Sequence, residues 1–146
     1  MKRFRFRLEA ALKHRDVILD NAKVELNEVS QRLNLAEELL SERQDTLRTL
    51  AQRPQHVGAS LDPGAELIKQ RHMHVLRDEV SRREKQVQHL TRVREERRLK
   101  VIEAHRDLKA LEILKERDRA QWLEEARKQE QKETDDRNSA RYGRSF

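Results

Sequence analysis

His72 and His74 are the closest pair of histidines in the chain, and histidine is the commonest metal ligand, so the pair invites a metal reading. A chelate on one helix face needs its histidines at i and i+4, as in HExxH, whereas a spacing of two turns them to different faces. The other four histidines are isolated. Carboxylate neighbours such as Glu37-Glu38 and Glu95-Glu96 invite an acid–base reading. On a helix, however, adjacent side chains point about 100° apart, and acid–base work needs a dry cleft that fixes them. Gly58 and Gly64 do not make a phosphate loop, since no Lys-Ser or Lys-Thr follows either. The residues therefore predict no catalytic, cofactor or metal site, no nucleotide binding and no enzyme.

Two features suggest docking instead. Trp122 is the single tryptophan, a residue type that often anchors interfaces, although lone exposed aromatics are also ordinary. The opening KRFRFRL alternates cation with apolar group. It could touch an anionic membrane surface or the acidic groove of a partner. Alternatively, Phe4 and Phe6 cap the fold against Leu111 and Leu114. One phenylalanine is assigned to that cap and the other stays open.

The elements that carry these residues follow from composition and period. Of 146 residues, 41% are charged and 3% aromatic, which is too little apolar matter for a globular core but enough for a thin seam. Without cysteine there is no disulfide framework, and nothing points to an oxidising compartment. No apolar run approaches the roughly 20 residues that cross a bilayer, and charges break up any signal-peptide core. The expected location is the cytoplasm. Charge is unevenly spread: residues 1–16 carry +4, 17–81 carry −3, 82–111 carry +5 and 112–146 balance.

Leu12, Leu19, Leu26, Leu33, Leu40 and Leu47 recur every seventh residue, with Leu8, Arg15, Ala22, Val29, Ala36, Arg43 and Leu50 at the companion offset. A sustained 3-4 alternation keeps one stripe turned to a partner helix, the pattern of a coiled coil. It stops at RPQHVGASLDPG, where Pro54 and Pro63 oppose a continuous helix. Asp62 and Pro63 suit the cap and first position of a second helix. A second stripe then includes Leu76, Val80, Val87, Leu90, Val101 and Leu108, interrupted at Arg94 and Arg97, where Val93 can shift the seam.

The expected fold is all-α: an extended, antiparallel two-helix coiled-coil hairpin forming a single domain over residues 1–146. Helix one spans about 6–52, the turn about 53–62 and helix two about 63–137, with a polar tail over 138–146. A turn centred near Gly58 sets Leu50 opposite Ile68 and Leu12 opposite His105. Residues 112–137 then overhang by roughly 39 Å at 1.5 Å per residue, with nothing in the chain to cover Trp122.

A basic zipper that grips DNA needs several helical turns of basic residues before the leucines, and only residues 2–7 precede Leu8. The basic block 82–111 is interleaved with carboxylates, as on a solvated coiled-coil flank. No nucleic-acid partner is expected. The general alternative is a structural coiled coil that homodimerises through its leucines, and behind it stands a basic coiled coil that binds nucleic acid.

Two stretches resemble the FliJ family of coiled-coil proteins of the flagellar export apparatus. FRFRLEAALKHRDVILDNAKVEL looks like the family's aromatic and basic start, and DLKALEILKERDRAQWLEEARKQEQKETDD like its closing region. The YscO-type stalk proteins of virulence secretion systems are similar. The resemblance implies a monomeric hairpin like the central shaft of rotary ATPases, at the cytoplasmic face of the inner-membrane export apparatus. It would touch the membrane only through partners. Its paired termini would enter the hexameric export ATPase, FliI-like, and promote ring assembly. The bend half would reach an FlhA-like export gate and pass on export chaperones. On that pattern Phe4, Arg5, Phe6, Arg7, Trp122, Arg127, Lys128 and Lys132 face the ATPase. Leu39, Arg43, Thr46, Leu50, His72, Leu76 and Glu79 face the gate, where Arg43, Thr46 and Leu50 stand in place of the aromatics of some members.

Overall fold

The computed structural model describes residues 2–53 and 62–144, so the expected turn falls almost wholly outside the described residues. Two long helices, α1 (Glu9–Gln52) and α2 (Pro63–Arg144), pack against each other, and the described residues contain no strand. The fold is a helical hairpin of coiled-coil type. Helix one starts three residues later than the spacing predicts, because residues 2–6 adopt no regular structure and Phe6 C=O accepts from Glu9 N–H at 3.2 Å. Helix two passes the expected end near 137 and runs to Arg144. No proline or glycine stands between Gly64 and Gly143 to stop it, and its last turn carries Arg141 and Arg144, cations that suit the negative end of a helix. At its start Asp62 Oδ1 accepts from Gly64 N–H at 3.0 Å, and Pro63 occupies the first position, where its missing N–H costs nothing.

The chain divides into two compact units: residues 22–101, and residues 1–21 with 102–146. In the first, the core is Val29, Leu33, Ala36, Met73, Leu76 and Val80, all buried. Leu26, Leu40, Leu47, Val87, Leu90 and Val101 are half-buried along the same stripes. Val93 and Arg97 are half-buried and Arg94 is exposed, so the α2 stripe steps to Val93 and retains Arg97. Arg97 keeps its charged head at the edge, where Nη1 lies 3.3 Å from Glu25 Oε2. In the second unit Leu19, Ala104 and Leu108 are buried with Phe6, and Leu12 is half-buried.

Cross-helix ion pairs mark the register in each unit, and the residue numbers of Glu9–Lys115 add to 124. The partners in Glu25–Arg97 and Arg43–Glu79, and likewise in Arg15–Asp107, have residue numbers that add to 122. The value expected from a turn at Gly58 was about 117. Leu50 therefore faces residues near Met73 rather than Ile68, which is 70% exposed, and Leu12 faces residues near Leu111 rather than His105. Side chains lean toward the N-terminus of their own helix, so facing partners in an antiparallel pair lie beyond the level of their Cα atoms. An estimate from the turn alone omits that lean.

Candidate docking surfaces

Residues 2–8, which precede α1, form a strap whose burial alternates. Phe4 is half-buried and Phe6 buried, while Lys2, Arg3, Arg5 and Arg7 are exposed. Alternation sends Phe4 and Phe6 one way and Arg3, Arg5 and Arg7 the other. Phe4 packs on Trp122 with ring centroids 6.0 Å apart and planes tilted by 51°, within the range of favourable aromatic pairs. The strap is joined to the first turn of α1, where Glu9 Oε2 meets Lys115 Nζ at 2.9 Å.

This arrangement corrects the expected overhang. Leu114, Lys115, Asp118, Trp122 and Ala126 are all half-buried, so α2 keeps a covered face well past residue 112. The cover at Trp122 comes from the strap, and an account that pairs helix only with helix cannot anticipate it. The uncovered part begins after Ala126, where every described residue is exposed.

Among the ATPase-facing candidates, the structure gathers Phe4, Phe6 and Trp122 into one aromatic group. Phe6, at 8% exposure, has little surface left for a partner. Arg5 and Arg7 are exposed cations, and neither makes an ion pair among the described residues. Arg127 and Lys132 are exposed on α2, and Lys128 Nζ approaches Glu124 Oε1 at 3.2 Å on a wet surface. A groove missed by sequence reasoning runs past Trp122 and Ala126, lined by Lys2, Glu125, Gln129, Glu130 and Glu133. The i, i+4 and i, i+3 spacing of Trp122, Ala126 and Gln129 was the available signal.

The gate-facing candidates separate by burial. Leu76, at 3% exposure, belongs to the core and offers no surface. Arg43 and Glu79 are engaged across the helices, with Arg43 Nε 3.2 Å from Glu79 Oε1. The same oxygen accepts from Arg83 Nε at 3.2 Å and Nη2 at 3.0 Å. One carboxylate thus serves two guanidiniums in a partly sheltered position. Arg43 Nε is buried and off-angle for a hydrogen bond, so its contact with Glu79 is electrostatic. Thr46, Leu50 and His72 share a shallow pocket with Glu42, Asp45, Thr49 and Arg53. Thr46 Oγ1 donates to Glu42 C=O at 3.0 Å, and Leu39 is 40% exposed.

Other polar groups have ordinary surface roles. His74 Nε2 lies 3.5 Å from Asp78 Oδ2, one turn away. Glu95 accepts two hydrogen bonds from Arg98, at 2.6 and 2.9 Å, and this bonding holds its carboxyl below the ordinary carboxylate value. The described residues hold no cluster of three or more His, Cys, Asp or Glu able to bind a metal, and no helix among them is long and apolar enough to cross a membrane.

The family model for the flagellar FliJ protein matches residues 4–145, a span that takes in most of the strap and all of α1 and α2. The chain belongs to the FliJ family. FliJ proteins are components of the flagellar export apparatus, so this chain serves flagellum biogenesis and protein export, in a family of structural adaptors. The chain matches no curated protein and no solved structure. Membership gives the aromatic and basic start a context, since the match begins at Phe4, the residue that packs on Trp122.

Proposed function

We propose that this FliJ-family protein is a non-enzymatic adaptor stalk that engages a hexameric, FliI-like export ATPase through its terminal unit. It promotes assembly of the ring and links it to an FlhA-like gate and to export chaperones through residues of the 22–101 unit. The family match over residues 4–145 is the observation that carries this reading. Support comes from the exposed Arg5 and Arg7, set beside the Phe4–Trp122 pair. Long-range attraction of unpaired cations speeds and orients docking on an acidic partner, while aromatic groups supply the contact area.

The leucine stripes are already buried within the chain, which favours a monomer over a homodimer built on the same seam. A monomer by sedimentation at micromolar concentration agrees with this, and tight self-association opposes it. For the ATPase, adding the purified protein at stoichiometric amounts should raise both hexamer content and hydrolysis rate. No change in either overturns the reading.

A further inference from the structure

Helix one carries a second apolar stripe, distinct from the seam, within the 22–101 unit. Val24, Leu35 and Leu39 are 57%, 61% and 40% exposed. With Glu28, Gln31 and Glu42 they follow steps of four, three, four, four and three residues, which keeps all six on one side of a helix with 3.6 residues per turn. The strip is roughly 27 Å long at 1.5 Å per residue. The seam residues Leu26, Leu33, Leu40 and Leu47 point to a different side of α1, so the strip is not part of the hairpin's own packing.

Its charge is mainly acidic. Glu28 and Glu42 lie within the strip and Glu38 on its edge, and none of the three makes an ion pair among the described residues. No cation stands in the strip. Arg32, on the opposite edge, pairs with none of these carboxylates. Isolated exposed aliphatics are normal on a protein surface, but aliphatics repeating at helical spacing between unpaired carboxylates form a surface that an amphipathic helix can complement.

We infer that this strip of α1 is a docking face for a basic amphipathic helix of another protein, with aliphatic residues set over Val24, Leu35 and Leu39 and Lys or Arg flanking them. Charge selects that occupant. A second copy meeting strip to strip would set Glu28, Glu38 and Glu42 against their own kind, and like charges held together oppose association. Anionic lipid and nucleic acid are repelled by the same carboxylates. The face includes Leu39 from the gate-facing set and extends beyond that set to Val24 and Leu35, so this inference stands apart from the identity of the gate.

The test uses the full chain and a synthetic helix of about 20 residues, with Leu at the strip's spacing and Lys on its flanks. A control peptide replaces each Lys with Glu. Saturable binding of the Lys peptide by fluorescence anisotropy is expected, with methyl NMR shifts at Val24, Leu35 and Leu39. Leu35→Glu should weaken it by about tenfold or more, and E38K combined with E42K should weaken it too. Equal binding of both peptides, no binding of the Lys peptide, binding untouched by Leu35→Glu, or a dimer of the chain that Leu35→Glu dissolves would each overturn the inference. The ATPase assay uses the wild-type chain without peptide, so failure of one reading is distinguishable from failure of the other.

Discussion

In the 22–101 unit, α2 is covered by another helix at regular spacing, whereas at Trp122 it is covered by a short irregular strap. The seam buries many small contributions, from Val29 and Leu33 on α1 to Leu76 and Val80 on α2. The strap concentrates its hold in Phe4 and Phe6. A distributed seam tolerates an imperfect position such as Arg97, because neighbouring turns maintain the packing. A cover built on two aromatic side chains has no such redundancy. It can therefore be removed by one substitution, or by a partner that competes for Trp122.

The largest effect that sharpens this contrast is in the seam. Leu33, at 1% exposure, is the most buried large side chain, and Leu33→Ala should destabilise the chain by about 2–4 kcal/mol in urea denaturation. Leu26→Ala, at a half-buried position, should cost less. If the two cost the same, the burial gradient along the seam has no energetic meaning.

Phe6→Ala should come next, at about 2–3 kcal/mol but confined to the terminal unit. Phe4→Ala should cost about 1 kcal/mol, with a red shift of Trp122 emission as the indole becomes wetter. Hydrogen exchange over residues 22–101 should stay unchanged in both variants. Loss of protection there would show that the strap supports more than its own unit.

Glu79→Ala leaves the sheltered Arg43 and Arg83 without their shared acceptor, and should cost about 1–2 kcal/mol. Arg43→Ala in the same background should cost less than Arg43→Ala alone, the signature of coupled partners. Additive losses would mean that the pair contributes nothing beyond packing.

The smallest effect belongs to Glu95 and Arg98. The folded carboxyl is held below its ordinary value, so any stabilisation is present above the unfolded carboxylate pKa and is lost as pH falls through the lowered one. Both groups are exposed, which keeps the gain small. Thermal unfolding of Glu95→Gln and wild type should differ slightly at neutral pH and converge in acid. A difference that grows in acid would reverse the sign of this assignment.

Much of the hairpin was legible because a 3.5-residue repeat has one physical meaning, a stripe that must be covered. Leu19, Leu33, Leu76, Val80 and Leu108 read from that repeat are buried. The register is not legible from the turn, because it depends on side-chain lean and on how the two stripes interlock, which no single stripe encodes. The cover on Trp122 was missed for a related reason. KRFRFRL shows that cations and aromatics alternate, but not which surface receives the aromatics, and period-two segments can pack on a helix as well as on a sheet. The strip through Val24, Leu35 and Leu39 was present in the sequence but masked by the stronger heptad of leucines.

The central claim is that the strap end engages the export ATPase, and a titration of the cognate ATPase with wild type and the R5E/R7E variant tests it most directly. Wild type should raise hydrolysis and hexamer content, and the variant should fail at both while keeping its helical circular dichroism and its Trp122 emission. Equal stimulation by the two proteins, or none by wild type, would contradict the account.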